Sequence, residues 1–299
     1  MSLNLPMPKT LNDFRHPLLG AHMSISGGVH TAVERGMSIG CRTMQIFVKN
    51  NTQWRVSPLT DEQILTYKNL LMKSTIAPVI VHSTYLINMA AIDNDMLRKS
   101  RELLVAELER CERLDIPYYN LHPGNHLGAG ESDGIQKIAE SINLMHNQVP
   151  FHTTKTVLET TAGQGTSIGH RFEHLRTIID LVEQQDRMAV CVDTCHIYAA
   201  GYDMRSEREY ESTWREFESV IGLARLAAFH MNDSKRECGS RVDRHEHIGK
   251  GKIGLKGFRL LMNDPRFEHL PKILETPKGK DMKEDVINMK TLRRLMKRK

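Results

Sequence analysis

Six short apolar runs in this sequence each end in a residue that can ligate a metal ion. The runs PVIVH, YYNLH, TVLE, AVCVD, LAAFH and PKILE close on His82, His122, Glu159, Asp193, His230 and Glu275. Successive closing residues are 40, 37, 34, 37 and 45 positions apart, which is the length of one strand with its following helix. Parallel strands at this spacing would bring the six side chains to one common mouth.

Imidazoles and carboxylates grouped in one buried place need a counter-charge. An unpaired buried charge is costly, and bound cations remove that cost. The pattern therefore predicts a multinuclear metal site, with zinc as the first choice for nitrogen and carboxylate ligands and manganese as the second. Because Glu159, Asp193 and Glu275 can each bridge two ions, we expect activation of water for in-line displacement at phosphorus.

Two further segments supply ligands in predicted loops beyond the strand ends. His196 follows Asp193 by three residues, and Asp243 and His245 are two residues apart in RVDRH. In an extended segment such an i, i+2 pair points to one side. His196, Asp243 and His245 are therefore expected to form a three-ligand site with open positions, as a catalytic metal requires.

The cysteines indicate a reducing compartment and no thiol chemistry. There are five, an odd number, and only Cys191 and Cys195 are closely spaced. This is not a disulfide framework. Cys195, although adjacent to His196, has no companion motif for nucleophilic catalysis, so we predict that it packs.

The elements that must position these residues alternate between short apolar runs and longer segments of helical period. Helices are predicted at 95–114, 135–145, 170–185 and 214–221, within a total of about eight. Strands are predicted at 18–22, 43–48, 78–82, 118–122, 156–159, 189–193, 226–230 and 272–275. The pattern predicts an α/β fold, a (β/α)8 TIM barrel of residues 18–299 after an N-terminal extension of residues 1–17; a doubly wound open sheet is the second possibility.

Composition excludes several other classes. The chain has 299 residues, of which 40% are hydrophobic and 26% charged, unlike disordered or collagen-like chains. No apolar run approaches the roughly 18–20 residues that span a bilayer, and no secretory signal is visible, so a cytoplasmic location is expected, associated with the nucleoid in a bacterium. The formal net charge of +5 favours an anionic partner.

Longer strings around the same residues resemble the endonuclease IV family, the apurinic/apyrimidinic (AP) endonucleases of base-excision DNA repair. The resemblance covers more than nine-tenths of the chain in the family's order, and DTCH with AGYD and RVDRH with IGKGKIG are its most specific parts. The strings are HSTYLIN (82–88), NLHPG (120–124), ETTAGQG (159–165), VDTCHIYAAGYD (192–203), HMND (230–233), SRVDRHEHIGKGKIG (240–254) and LETP (274–277).

The resemblance implies three zinc ions per chain, for which manganese is a possible substitute. One ion would be held by His82, His122 and a bridging Glu159. A second would take Glu159, Asp193, His230 and Glu275, and the third His196, Asp243 and His245. Glu159 and Glu275 are the implied catalytic carboxylates, with Glu275 orienting the nucleophile.

The implied reaction is metal-assisted hydrolysis of double-stranded DNA at the phosphodiester 5′ to an abasic site. It leaves a 3′-hydroxyl and a 5′-deoxyribose phosphate, and family members also trim blocked 3′ ends, including 3′-phosphates. The resemblance further suggests a monomer. Neither the sequence nor the resemblance indicates a membrane partner.

Members of the family flip the abasic nucleotide out of the duplex and fill the gap with inserted side chains. Tyr85 and Leu86 match those inserting residues in this sequence. Two positions depart from the family pattern: Thr52, where some relatives carry a longer arginine or glutamine, and Thr160, where asparagine is common. Phosphate and DNA contacts are expected among basic and polar residues, namely Lys49, Asn50, Arg55, Arg241, Arg244, Lys250 and Lys252.

Two alternatives belong to other functional classes. A sugar isomerase or epimerase on the same barrel would need about four ligands for one metal, fewer than the nine residues found here. A DNA-binding protein that had lost the chemistry would be expected to lack a bridging carboxylate, whereas Glu159, Asp193 and Glu275 are all present.

Overall fold

A closed barrel of eight parallel strands organises the chain, as a computed structural model shows for residues 17–150 and 153–297. The barrel order is β1, β2, β3, β4, β6, β8, β9 and β12, and β12 pairs back onto β1. Strand bounds are β1 Leu19–Met23, β2 Met44–Ile46, β3 Val79–His82, β4 Tyr118–Leu121, β5 Gly124–Asn125, β6 Lys155–Glu159, β7 Ser167–Ile168, β8 Met188–Asp193, β9 Leu226–His230, β10 Asp233–Ser234, β11 His245–Glu246 and β12 Lys272–Leu274.

Helices surround the barrel and connect its strands. Side-chain caps fix several of their starts: Thr60 and Gln63 form a capping box before α2, and Asp93 caps α3. The bounds are α1 Val29–Ser38, α2 Asp61–Met72, α3 Asn94–Arg113, α4 Glu131–Gln148, α5 Phe172–Leu181, α6 Thr194–Ala200, α7 Glu207–Val220, α8 Gly254–Met262 and α9 Lys283–Leu295.

The structure confirms the predicted TIM barrel, and the open-sheet alternative is wrong because β1 pairs with β12. All eight predicted strands are present, although β2 is shorter than the predicted 43–48. The predicted helix 170–185 is too long, because Val182 adopts extended backbone and Gln185–Arg187 form a separate 3₁₀ turn. The proposed extension of residues 1–17 lies almost entirely outside the described residues and stays a prediction.

Strand alternation explains why the ligand-type residues share the barrel interior. Side chains two residues apart on a strand point to the same face. A small inner core stands one such step below the mouth, and His82, Glu159, Asp193, His230 and Glu275 each follow one of its members. It consists of Ile80, Val157, Ala189, Cys191, Ala227, Ala228 and Ile273.

The larger hydrophobic core lies between the strands and the surrounding helices. Its biggest fully buried side chains include Trp214, Phe217 and Phe267, and the Trp214 ring packs against both phenylalanine rings. This layer fixes the strands and leaves their carboxyl ends free to build a site. In the described ranges, no helix is both long and apolar enough to cross a membrane.

Candidate metal centre

Glu159 lies at the centre of the barrel mouth and is fully buried. Four imidazoles surround its carboxylate. His82 Nε2 lies 3.3 Å from Oε2, whereas His122 Nε2, His196 Nδ1 and His230 Nδ1 lie 3.4, 3.3 and 3.0 Å from Oε1. One carboxylate therefore touches residues from four different positions in the chain.

A second group of carboxylates meets at His230. Its Nδ1 lies 3.2 Å from Glu275 Oε2 and 3.8 Å from Asp193 Oδ2, in addition to its contact with Glu159. Asp193 and His230 are fully buried, whereas the Glu275 side chain is 14% exposed. Glu275 is therefore the carboxylate of this group that a molecule entering the mouth can reach.

The third group forms beside the mouth, where α6 meets the segment before β11. His196 Nε2 lies 3.1 Å from Asp243 Oδ2, and His245 Nε2 lies 3.3 Å from Asp243 Oδ1. Asp243 is half-buried, so this group faces solvent on one side. The side chains of Asp243 and His245 therefore point to the same place, as their i, i+2 spacing predicted.

Backbone and amide acceptors fix which ring nitrogen of four histidines carries the proton. His82 Nδ1 donates to the Ser83 carbonyl at 2.7 Å, and His196 Nδ1 donates to the Thr160 carbonyl at 2.8 Å. In the same way, His245 Nδ1 donates to the Glu275 carbonyl at 3.1 Å, and His230 Nε2 donates to Gln45 Oε1 at 2.8 Å. The other nitrogen of each ring then presents a lone pair.

Those lone pairs face carboxylate oxygens, which is unfavourable unless a cation lies between them. A metal ion satisfies this arrangement, and a histidine whose second nitrogen donates to an oxygen is the usual form of a metal ligand. In three groups at the mouth the ligand atoms lie within 4.8 Å of one another, and these groups are the three sets that the family resemblance implies. A fourth, overlapping group joins Cys195 to Asp193 and His245. The residues present therefore fit metal ions, although which ions they hold stays a prediction.

The pKa values of the cluster also indicate that it is stabilised by positive charge. Although burial opposes its charged form, Asp193 and Asp243 raise the pKa of His245 to about 9. Burial also opposes ionisation of Glu275, yet His230 and His22 hold its pKa well below the ordinary value. Without a metal ion, protons would take its place on the imidazoles.

Gln45 is a site residue that sequence reasoning missed. It is fully buried on β2, where its Nε2 donates to Glu275 Oε1 at 2.5 Å and its Oε1 accepts from His230. His22, at the end of β1, lies 3.5 Å from the same Glu275 oxygen. The available signal was a polar side chain inside an apolar strand run.

Two asparagines orient the other carboxylates. Asn120 Nδ2 donates to Glu159 Oε2 at 2.5 Å, and Asn232 Nδ2 donates to Asp193 Oδ2 at 2.6 Å. Asn232 Oδ1 also accepts the Glu275 backbone N–H. Neutral amide donors, as well as imidazoles, therefore hold these two carboxylates in place.

His196 belongs to a helix and not to the loop that we predicted. Asp193 caps α6, and its Oδ1 accepts the backbone N–H groups of Cys195 and His196 at 2.7 and 3.0 Å. The carboxylate thereby fixes the start of the helix that carries the imidazole. Cys195 is buried, which raises the pKa of its thiol to about 12, and this agrees with a packing role.

Asp233 organises the loop that follows the third group. Its two carboxylate oxygens accept backbone N–H groups from Gly249, Gly251, Ile253 and Gly254 at 2.9 to 3.3 Å. A side chain at Gly251 would come within 2.3 Å of the Ser234 carbonyl oxygen, so this close approach requires glycine. The segment IGKGKIG therefore shapes the rim of the mouth.

The predicted DNA contacts divide into exposed residues and one buried lysine. Tyr85 is 69% exposed and lies 5.8 Å, ring to ring, from His82, whereas Leu86 is half-buried. The side chains of Asn50, Arg241 and Arg244 are exposed.

Lys49, a predicted phosphate contact, is buried. It is only 5% exposed, and its ammonium donates to the backbone carbonyls of Asn50 and Gln53. These two hydrogen bonds close the turn that carries Thr52, so Lys49 shapes the loop, and its contact with DNA stays a prediction.

A cavity of about 220 Å³ opens between the first and third groups. Its lining includes His122, Asn125, Gln164, Asp243 and Arg244. Gln164 Oε1 accepts the Asp243 backbone N–H at 2.9 Å and so ties the two walls together. The candidate metal ligands are therefore open to a molecule on the side where Arg244 lies.

Comparison with known proteins places this geometry in a family. Residues 33–296 match the family model described as Xylose isomerase-like TIM barrel. The chain is 51% identical over 281 residues to a probable endonuclease 4 of Chloroflexus aggregans, covering 94% of this chain and 98% of the relative.

Solved structures show the same likeness. Endonuclease IV from Thermus thermophilus has a TM-score of 0.83 at 32% identity, covering 93% of this chain and 98% of that chain. A D-tagatose 3-epimerase-like protein has a TM-score of 0.70 at 16% identity over 92% of this chain and 96% of its own, and shares the fold alone.

Proposed function

Because the chain belongs to the endonuclease IV family, we propose that it hydrolyses the phosphodiester 5′ to abasic sites in double-stranded DNA. The products are a 3′-hydroxyl and a 5′-deoxyribose phosphate. The observation that carries this proposal is the convergence of three groups of ligand atoms around the buried Glu159. We further propose trimming of blocked 3′ ends, because such ends present the same phosphate chemistry.

The ligands are assigned to three zinc ions, with manganese as a possible substitute. His82, His122 and Glu159 would hold one ion; Glu159, Asp193, His230 and Glu275 a second; and His196, Asp243 and His245 a third. Bound zinc supplies a lowered pKa for water and neutralises charge on the phosphate and the leaving oxygen.

The chain's own residues orient the reactants. Glu275 is the partly exposed carboxylate of its group, and Gln45 fixes one of its oxygens. Its other oxygen, Oε2, lies 3.2 Å from His230 Nδ1, and we propose that Glu275 orients the attacking water. Glu159 has no exposed surface, so its role is to hold its four imidazole neighbours at fixed distances.

DNA recognition falls to the rim of the mouth. Tyr85 is exposed beside His82, and we propose that its ring fills the gap that a flipped-out nucleotide leaves in the stack. Arg241, Arg244 and Asn50 are exposed and suited to phosphate contacts. We propose that the protein acts as a monomer in the cytoplasm.

The fold by itself also admits a sugar epimerase, since an epimerase-like protein shares it. Nine ligand-type residues in three groups exceed what one or two metal ions require. The identity of 51% to an endonuclease 4 relative also favours the nuclease.

The decisive experiment is incision of a duplex oligonucleotide that carries one tetrahydrofuran abasic analogue, in buffer containing EDTA. The analogue cannot undergo β-elimination, so a 3′-hydroxyl product requires hydrolysis. We expect cleavage at the analogue by the wild type and its loss in Glu159→Ala. Glu173→Ala, an exposed carboxylate on α5, is the matched control. Absence of cleavage after loading with zinc or manganese would overturn the nuclease proposal.

A further inference from the structure

A second place in the molecule gathers metal-ligating side chains apart from the three groups at the mouth. Glu131 is the first residue of α4, and His170 and His174 flank the start of α5. His174 Nε2 lies 3.2 Å from Glu131 Oε2, and His170 Nε2 lies 3.9 Å from Glu131 Oε1. All three ligand atoms lie within 4.8 Å of one another, and this group shares no residue with any group at the mouth.

The two imidazoles are held in place before any ligand arrives. Their rings lie 4.8 Å apart at the start of α5, and the two residues are only 8% and 2% exposed. His170 Nδ1 donates to the Ser167 carbonyl at 3.0 Å, so its Nε2 presents a lone pair on the side of Glu131. A side chain at Gly163 would come within 3.0 Å of the His170 ring, so the glycine leaves room for this rotamer.

Arg171 supplies the positive charge in the structure. Its Nη2 lies 3.0 Å from Glu131 Oε2 and 2.8 Å from His174 Nε2, the two atoms that would face a metal ion. The side chain is 55% exposed, so it can turn into solvent. A guanidinium and a divalent cation would thus compete for the same two atoms.

We propose that Glu131, His170 and His174 form a separate zinc site, in which Arg171 occupies the position of the metal when zinc is absent. Two imidazole nitrogens, one carboxylate oxygen and an open fourth position are a ligand set that zinc accepts. Zinc at His174 Nε2 would leave the ring proton on Nδ1, which then could no longer accept the Gly169 N–H that lies 3.3 Å away. This lost hydrogen bond makes the site weaker than those at the mouth.

The proposed zinc site lies behind one wall of the cavity at the barrel mouth. Ser167 and Gln164 both line the cavity beside Asp243, and Ser167 holds His170. Gln164 in turn holds the Asp243 backbone. Zinc would therefore fasten the 161–169 loop to α4 and α5, behind the wall of the proposed active site.

The test is a count of bound zinc in full-length protein equilibrated with zinc-buffered solutions and measured by mass spectrometry of the metal. The wild type is expected to bind one ion more per chain than either His170→Phe or Glu131→Gln at the same free zinc concentration. Arg171→Ala should take up that ion at about fivefold lower free zinc, because the competing ion pair is removed. His269→Ala, which removes an exposed histidine elsewhere, should bind as the wild type does.

An ion retained by either ligand variant overturns the site, as does an unchanged zinc affinity in Arg171→Ala. A circular dichroism spectrum equal to that of the wild type is required of each variant, so that loss of zinc does not reflect unfolding. Because all variants keep the same barrel mouth, the difference in zinc content does not depend on whether that mouth hydrolyses DNA.

Discussion

The Nε2 atoms of His196 and His245 lie 3.4 Å apart and face each other. Each ring already donates through its Nδ1 to a backbone carbonyl, of Thr160 in one case and Glu275 in the other. Two neutral imidazoles held in this way would oppose their lone pairs. The pair therefore requires a shared cation, which is a metal ion in the proposed enzyme and a proton in the metal-stripped protein.

Stability of the metal-stripped protein should depend on pH in a defined window. Because the pKa of His245 is raised to about 9 from its ordinary value of 6.5, folding favours its protonated form. This stabilisation is fully present below about pH 6.5 and is lost as the pH rises through about 9. Urea denaturation in the presence of a strong chelator should show a free energy of unfolding that falls across this range.

Zinc should remove that dependence, because the metal replaces the proton between the rings. His269→Asn, at an exposed histidine outside the cluster, should keep the pH dependence of the wild type. If the free energy of unfolding of metal-stripped His245→Asn falls with pH as much as that of the wild type, another group is responsible.

Gln45→Met should weaken metal retention with little change in side-chain volume. The substitution removes the donor to Glu275 and the acceptor for His230, and lost partners of metal ligands typically cost about 10- to 100-fold in affinity or activity. Zinc dissociation constants and incision rates measure the effect. The exposed Gln136→Met serves as control, and wild-type zinc affinity in Gln45→Met would refute a positioning role.

Tyr85→Ala should weaken binding of a duplex with a tetrahydrofuran site and leave zinc content unchanged. Stacking of a base on an aromatic ring contributes about 1–3 kcal/mol, so the dissociation constant should rise roughly 5- to 100-fold. Fluorescence anisotropy with an uncleaved substrate measures this, and Tyr85→Phe should bind as the wild type does. Equal affinity of Tyr85→Ala for the abasic duplex would exclude insertion of the ring.

Arg244→Ala and Lys49→Gln should differ in the salt dependence of DNA binding. Arg244 is exposed beside the cavity, and loss of one phosphate contact lowers the slope of log affinity against log salt by about one. Lys49 donates to the Asn50 and Gln53 carbonyls, so its loss should disturb the loop without changing the slope. A reduced slope of log affinity against log salt in Lys49→Gln would show that Lys49 contacts a phosphate.

Much of the barrel and of its mouth was predictable because both rest on regular spacing. Apolar runs recur about every 37 residues, and parallel strands carry their last residues to one edge whatever the intervening helices contain. His82, Glu159 and Asp193 were found in this way. His122 and Glu275 were found as well, although each lies one residue beyond its strand.

Residues whose role depends on side-chain direction were not predictable in this way. Nothing in the amide of Gln45 distinguishes a metal-orienting role from ordinary burial until β2 is placed beside β1 and β3. The burial of Lys49 was not foreseen, because its ammonium donates to the backbone carbonyls of Asn50 and Gln53 within the same turn. Such local contacts leave no periodic signal in a sequence.

The sequence by itself determined an α/β chain of parallel strands and the chemical types of the nine candidate ligands, six of which close strands at regular spacing. Only the tertiary structure decided that the sheet closes into a barrel, because β1 pairs with β12. The tertiary structure also decided which nitrogen of each imidazole is free, because the acceptors of the other nitrogen come from different segments. The meeting of Glu131 with His170 and His174, about 40 residues away in the chain, was likewise decided by the packing of α4 against α5.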